Sequence, residues 1–371
     1  MAGVILALNV GSSSLKAALF EAGAEPNAIA RTKIDGAAGP DRAIASALDW
    51  VGSAAAGREL AAAGHRVVHG GDRFHASVRL TPQIVDALDA LTPLAPLHQP
   101  ECMAAVRALT RLRPDLPQVA CFDTAFHWSQ PPVAQRLGLT RALHDRGVRR
   151  YGFHGLSYEH VAGRLKTLDP RLAAGRVVAA HLGSGASLCA MAAGKSVETT
   201  MGFSPLDGLL MSTRCGTLDP GAVLYLLQHE GMSAHQVQDL LYRRSGLLGV
   251  SGLSGDMKVL LASPQTAASE AIELFVHRAA REICALAVSL GGLDGVVFTG
   301  GIGENSAEIR GRIAARLNWL GLDLAPDPDD GVGDRRISAR SSRIAAWVLP
   351  ADEEIVIARH VAATLGHAKS D

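Results

Sequence analysis

Two short glycine and serine strings, Gly11-Ser12-Ser13-Ser14 and Gly183-Ser184-Gly185, each separate two apolar runs. A turn of that composition leaves backbone N–H groups and hydroxyls free to surround phosphate oxygens, and Lys16 adds a point charge beside the first. One such loop alone reads better as a tight hairpin with a surface lysine. Two at corresponding positions favour phosphate. No Gly-x-x-x-x-Gly-Lys-Ser/Thr string running into a helix occurs, so any phosphate chemistry must sit on hairpins. A third cluster, Phe298-Thr299-Gly300-Gly301-Ile302-Gly303-Glu304-Asn305-Ser306, follows an apolar strand and opens a helix, where backbone can approach a nucleotide closely. Ser306 stands where a dinucleotide fingerprint has glycine, and strand–helix packing accounts for these glycines about as well.

Charged residues in glycine-rich settings add a second kind of chemistry. Arg66 lies in His65-Arg66-Val67-Val68-His69-Gly70-Gly71, and Arg214 in Met211-Ser212-Thr213-Arg214-Cys215-Gly216. Two such guanidinium groups suit an oxyanion clamp, with a salt bridge to a neighbouring acid as the ordinary alternative for each. Asp123 follows an apolar strand directly, where open α/β sheets gather ligands; a helix N-cap is its commoner use. His154 sits in Tyr151-Gly152-Phe153-His154-Gly155, on a loop rather than an apolar helix face. A zinc site on His65, His69 and His154 is disfavoured, because no glutamate accompanies the His65-x-x-x-His69 pair as in His-Glu-x-x-His.

The elements that must position these residues follow an α/β pattern with a duplication. Strands are predicted at Val4 to Val10 and Leu15 to Phe20, and again at Val177 to Leu182 and Ser187 to Met191, so that Asn9, Gly11 and Ser12 correspond to His181, Gly183 and Ser184. Further strands are predicted at Arg66 to His69, Val119 to Phe122, Val296 to Thr299 and Ala345 to Leu349. Amphipathic helices are predicted near 101–113, 266–290, 304–318 and 353–365, and a surface loop at Asp327 to Asp334.

Composition limits the reading. With 371 residues and 48% hydrophobic content the chain can bury large cores, and two domains are expected. Lys+Arg and Asp+Glu are both 36, so no broad footprint for nucleic acid or anionic membrane is expected. Apolar runs such as Val4 to Leu8 fall far short of the roughly 20 residues of a membrane span, and Asn9 with the Gly-Ser run breaks the first of them where a signal peptide would continue. Cys102, Cys121, Cys189, Cys215 and Cys284 are scattered without Cys-x-x-Cys spacing, which suits reduced cytoplasmic thiols.

Taken together, these strings resemble the acetate kinases of the actin-like ATPase superfamily. The resemblance is carried by Asn9 to Lys16, His65 to Gly71, Ala95 to His98, Phe122 to His127, Tyr151 to Gly155, His181 to Gly185, Glu198 to Pro220, Gly249 to Ser254, Phe298 to Ser306 and Asp352-Glu353-Glu354, in order along nearly the whole chain. It implies an α/β fold of two actin-like (ribonuclease H-like) domains with a duplicated mixed-sheet core and an interdomain active-site cleft. Residues 1–127 with 356–371 would form the acceptor side, and 128–355 the nucleotide-binding, dimerising side. The implied reaction is reversible, in-line transfer of the ATP γ-phosphoryl group to acetate, giving acetyl phosphate and ADP, in acetate activation and acetyl-CoA metabolism. A cytoplasmic homodimer with no nucleic-acid or membrane partner is implied as well.

The resemblance also assigns roles. Arg66 would hold the acceptor carboxylate, and His154 and Arg214 would stabilise the transferring group. Asp123 is the family's acid/base residue, yet acetate is already ionised at neutral pH, so orienting the metal or the acceptor is the better expectation. Asn9 and Glu353 match the magnesium ligands, with manganese as a substitute, and Val68, Leu97, Phe153 and Pro205 match the methyl pocket. Relatives that prefer propionate carry a smaller residue at the position of Val68, so Val68 favours acetate; a methylene is worth only about 1–3 kcal/mol, and propionate is expected to remain a slow substrate. ATP contacts fall to Ser12, Lys16, His181, Leu182, Gly183, Ser184 and Gly185 at the phosphates, and to Asp256, Met257, Lys258, Gly301, Ile302, Gly303, Glu304 and Asn305 near adenosine. Lys258 stands in place of arginine, Ser184 of asparagine, Ser212 of glycine and Gly300 of alanine, and the stretch from Phe20 to Gly64 is short for the family. A propionate or butyrate kinase and a non-catalytic nucleotide-binding protein of the same fold are the alternatives; the joint presence of Arg66, Asp123, His154, Arg214 and Glu353 argues against the second.

Overall fold

The computed structural model describes residues 3–11, 14–36, 39–326 and 331–367. Ser12 and part of the 327–334 loop lie outside the described residues. Strands are β1 (Val4–Val10), β2 (Ser14–Glu21), β3 (Ala28–Asp35), β4 (Leu60–Val67), β5 (Val78–Arg79), β6 (Gln118–Phe122), β7 (Arg176–Leu182), β8 (Ala186–Ala192), β9 (Lys195–Thr199), β10 (Gly295–Thr299), β11 (Arg335–Arg336) and β12 (Ala345–Val348). The helices that bear on function are α1 (Pro40–Ala54), α2 (Gln99–Leu112), α3 (Gly155–Leu168), α4 (Thr266–Leu290), α5 (Gly300–Asn305), α6 (Ala307–Ala315) and α7 (Glu353–His367).

The chain divides into two compact units. The first holds residues through Trp128, Phe153–His160, and the chain from Asp352 onward; the second holds Ser129–Gly152 and Val161–Ala351. Each is built on a six-stranded mixed sheet, and the two sheets share one plan. The orders are β3-β2-β1-β4-β6-β5 and β9-β8-β7-β10-β12-β11. In both, the first three strands form an antiparallel meander, the next two add in parallel, and the last returns antiparallel. Both hairpins close on a glycine N–H: Gly11 to the Ser14 carbonyl at 2.9 Å, and Gly183 to the Gly185 carbonyl at 3.1 Å.

Strand β1 is apolar on both parities because both faces of its sheet are covered. Val4, Leu6 and Leu8 pack with Ala43, Ile44, Ala47 and Val51 of α1 and with Ala105, Ala108 and Leu109 of α2. Ile5 and Ala7 pack on the other face with Val356, Ile357, Ala358 and Val361 of α7. Gly64 on β4 lets α7 approach: a Cβ there would stand 2.5 Å from Val361 Cγ2 and clash with Ile357 as well. In the second unit α4 buries Ala268, Ala271, Ile272, Phe275, Val276, Ala279, Ala280, Ile283 and Leu286, a stripe at helical spacing.

Two expectations are corrected. The strand expected at Arg66 to His69 runs instead from Leu60 to Val67. Its Leu-Ala-Ala-Ala-Gly start has little β propensity, and parallel pairing with β1 and β6 overrides that preference. The helix expected over 304–318 is broken into α5, α6 and a short 3₁₀ turn at Asn318–Leu320. Ser306 causes the first break, because its side chain accepts from the Ile309 N–H and starts a new helix.

Candidate active site

Strand alternation places the site in the first unit. Ile5 and Ala7 face α7, and the next residue of that parity is Asn9. By the same count Ala18 and Phe20 lead to Lys16, Ala62 and Gly64 to Arg66, and Val119 and Cys121 to Asp123, just past β6. Asn9 and Lys16 are direct cross-strand partners. All four therefore emerge on one sheet face, the face on which α7 starts with Glu353 and Glu354.

There they meet. Arg66 donates to Asp123 from Nε, at 3.1 Å to each carboxylate oxygen, and from Nη2 at 2.6 Å to Oδ2. Its Nη1 reaches Asn9 Oδ1 at 3.3 Å. Asn9 Nδ2 donates in turn to Glu353 Oε2 at 2.7 Å and to Glu354 Oε1 at 3.1 Å. The Arg66 side chain is 17% exposed and that of Asp123 1%. Burial opposes the charge on Arg66, but Asp123 and Glu353 outweigh it and hold the guanidinium firmly protonated. Burial pushes the Asp123 carboxyl up from the usual carboxylate range, while Arg66 pulls it back. The ordinary alternative for Arg66, an ion pair, is thus realised with Asp123. It fixes the guanidinium plane through one edge.

His154 enters the same network through its backbone. It adopts a left-handed conformation, φ +58°, rare for a residue with a side chain. Its N–H bonds the Asp123 carboxylate. The next N–H, from Gly155, donates to the Asp123 carbonyl at 3.0 Å and opens α3. His127 braces the turn, its Nε2 2.9 Å from the Phe153 carbonyl, and burial lowers that imidazole to about 4, so it is neutral. Val68 and Phe153 are buried and Leu97 is half-buried. The Phe153 ring meets His69 edge-on at 5.6 Å.

Glu353 and Glu354 bring together two carboxylates, the hard oxygen donors magnesium prefers, while Asn9 turns its Nδ2 to them and its Oδ1 to Arg66. No group of three or more His, Cys, Asp or Glu among the described residues is arranged to hold a metal ion. A divalent ion at this set would take its remaining ligands from phosphate and water. His65 of the disfavoured zinc reading bonds Gln118 through Nε2 at 2.8 Å.

Other expected residues lie in the second unit. Arg214 donates to the Pro205 carbonyl at 2.6 Å. His181 and Leu182 end β7, and Gly183, Ser184 and Gly185 form the turn into β8. Ser184 accepts from the Ser212 N–H at 3.1 Å. Asp256 caps the helix Met257–Leu261, accepting from the Lys258 N–H at 2.8 Å. Met257 is buried and Lys258 exposed. In the Gly301-Ile302-Gly303-Glu304-Asn305 stretch, Glu304 Oε1 accepts from the N–H groups of Gly300 at 2.8 Å and Ala351 at 2.9 Å, and Asn305 Nδ2 donates to the Gly301 carbonyl at 2.8 Å. The side chains of Asp256, Glu304 and Asn305 are therefore engaged in shaping backbone.

Sequence reasoning missed two contributors. Glu354 bonds Asn9 beside Glu353, and the doubled glutamate was its only signal. Arg310, fully buried on α6, donates from Nη1 to the carbonyls of Gly303 and Glu304, each at 2.9 Å. An arginine between Ile309 and Ile313 on a buried stripe marks such a role.

The acetokinase family model matches residues 35–359 of this chain. The chain belongs to the acetokinase family. Among acetokinases, the acetate kinase of Rhodopseudomonas palustris (strain ATCC BAA-98 / CGA009) is 51% identical over 390 aligned positions, covering 97% of this chain and 98% of that protein. That of Methylocella silvestris is 45% identical, with 98% of each covered. The fold matches the crystal structure of Porphyromonas gingivalis acetate kinase with a TM-score of 0.86 at 32% identity, over 98% of this chain and 100% of that one. It matches a Francisella tularensis propionate kinase equally, with a TM-score of 0.86 at 34% identity over 96% and 98%. As acetokinase membership implies, ATP is the co-substrate.

Proposed function

We propose that this chain transfers a phosphoryl group reversibly between ATP and acetate, giving acetyl phosphate and ADP by direct in-line displacement. The observation that carries the reading is the Arg66 guanidinium, oriented by Asp123 and set beside the Asn9–Glu353 pair. Phosphoryl transfer has a loose transition state whose equatorial oxygens need fixed positive charge and aligned donors more than covalent help. Arg66 supplies that charge and binds the acceptor carboxylate. Asp123 acts by holding Arg66, since its oxygens face the guanidinium and the His154 N–H. His154 donates to the transferring group. Magnesium, held by Glu353 and Asn9, would neutralise charge on the phosphate oxygens when bound, and manganese could take its place.

The backbone of Gly183 to Gly185 meets the nucleotide phosphates, while the Gly301 to Asn305 and Asp256 to Lys258 backbones meet the adenosine. Val68, Leu97 and Phe153 form the methyl pocket on the first unit. A propionate preference is the second reading, because one structural relative with an equal match is a propionate kinase. A cytoplasmic homodimer belongs to the same proposal. Its support is family membership and buried thiols such as Cys102, Cys121 and Cys189; no helix among the described residues is long and apolar enough to cross a membrane. Light scattering tests the dimer.

The deciding experiment is a hydroxamate assay for acyl phosphate with MgATP and acetate, propionate, butyrate or formate offered separately. Strong product from acetate, lost with Arg66→Ala or on omitting magnesium, is the expected result. Product mainly from a longer acid overturns the acceptor assignment, and none from any acid overturns the reaction.

A further inference from the structure

Two helices bring functional residues to the first unit: α3 starts one residue after His154, and α7 starts at Glu353. Their contact is apolar near these ends, where Leu156 shares a buried cluster with Val356, Ile357, Ala358 and Val361. Apolar packing fixes the distance between two helices better than it fixes their register, because dispersion contacts are not directional. One polar bridge supplies direction. His360 on α7 places Nε2 2.8 Å from Glu159 Oε1 on α3. Its other nitrogen, Nδ1, lies 2.6 Å from the Ser77 hydroxyl, one residue before β5. Both imidazole nitrogens are thus tied, to two different elements, and the ring has no freedom to turn.

Geometry connects this bridge to the site. Glu353 and His360 are seven residues apart, two turns, so they share one face of α7 about 10 Å apart along its axis. Glu159 stands five residues beyond His154, within the first turns of α3. The groups facing the imidazole are Glu159 from α3, the Cys121 thiol from β6 and Ser77 from the segment before β5. Burial opposes a charge on this ring, but bonds to Cys121 and Glu159 outweigh it and raise the imidazole to about 10. It is a cation at neutral pH. A serine–histidine–glutamate relay of this kind therefore cannot take the Ser77 proton as a hydrolase would, because the base already holds one.

We propose that His360, held between Glu159 and Ser77, is a positioning residue for phosphoryl transfer: it sets the register of α7 against α3, and thereby the placement of Glu353 and Asn9 relative to Asp123 and the His154 turn. The proposal rests on the kinase reading above. It requires Glu159 and His360 to act as a pair, so either alone is useless and their exchange is tolerated.

The test measures kcat and KM for acetate and MgATP by the hydroxamate assay, with melting temperature, in the wild type, His360→Gln, Glu159→Gln and the exchanged double variant Glu159→His/His360→Glu. Each single variant is expected to lose about tenfold in kcat, the scale of a sub-ångström misplacement, with KM for MgATP held within about twofold. The exchanged variant recovers about a third or more of the wild-type kcat. Folded single variants with wild-type kcat overturn the proposal, as does an exchanged variant that folds yet stays as slow as the singles. If the singles do not fold, the exchanged variant decides alone: near-wild-type kcat supports the pair, and a large loss overturns it. An inactive wild type removes the kinase reading itself, a result distinct from an active wild type indifferent to His360.

Discussion

Gly155→Ala tests whether the His154 turn is held in place by its contact with Asp123. An added Cβ would stand 2.9 Å from Phe126 Cβ and 3.0 Å from the Asp123 carbonyl carbon, and closer still to the carbonyl oxygen. Carbon atoms at rest sit about 3.5–4.0 Å apart, so the start of α3 must withdraw by about 1 Å. That withdrawal stretches the 3.0 Å bond from the Gly155 N–H to the Asp123 carbonyl and moves His154, the preceding residue. Overpacking of this kind costs about 1–3 kcal/mol of stability, and a misplacement of about 1 Å at a reacting centre costs about a hundredfold in rate. The expected outcome is therefore a melting temperature lowered by several degrees and a kcat lowered about a hundredfold, with KM for MgATP nearly unchanged. Gly163→Ala, on the same helix with no atom within 4 Å of the new methyl, provides the comparison. It should gain up to about 1 kcal/mol with unchanged kcat. The hydroxamate assay and scanning calorimetry read both quantities. A folded Gly155→Ala enzyme with kcat within about threefold of wild type would refute the idea that this close approach positions His154.

Arg66→Lys keeps the charge but loses the planar edge that Asp123 grips, so kcat/KM for acetate should fall about 10²–10³-fold while nucleotide binding, read by titration calorimetry, persists. Glu353→Gln should raise the magnesium concentration needed for half-maximal rate by about tenfold or more, measured by metal titration of the same assay. Val68→Ala should raise propionate use relative to acetate, by no more than the 10–200-fold that a methylene's worth of space allows; an unchanged ratio rejects the pocket. Burial holds His65, His69 and His127 down at about 4, below the ordinary 6.5. Their stabilising effect is present above pH 6.5 and is lost as pH falls toward 4, because the unfolded chain takes up protons that the folded one refuses. Between pH 7 and 5.5 each should remove about 1 kcal/mol, seen as a falling urea midpoint. The His360 contribution has the opposite sign: complete below 6.5, it is lost as pH rises through about 10, so the fall of the urea midpoint between pH 7 and about 10 should shrink in His360→Gln.

The sequence by itself determined the duplicated plan and the residue types of the site. A β1 run apolar on both parities required a sheet covered on both faces, and its parity carried Asn9 to the α7 side. The two Gly-Ser hairpins, with Asn9 and His181 at matching places, marked two copies of one sheet, and family resemblance supplied the candidate roles. Tertiary structure decided the rest. The β4 strand begins in an alanine-rich stretch whose own preference is weak, so only its neighbours β1 and β6 make it a strand. Local patterning could not say that Arg66 is gripped by Asp123, 57 residues away, or that Asn9 binds Glu353, 344 residues away. Asp256 and Glu304 look like ligands in the sequence, yet their carboxylates are engaged by nearby backbone N–H groups. Periodicity reports which face a side chain occupies, because that is set by backbone geometry over a few residues. Which partner it finds there depends on strand order and helix packing, and those are fixed only when the whole chain has folded.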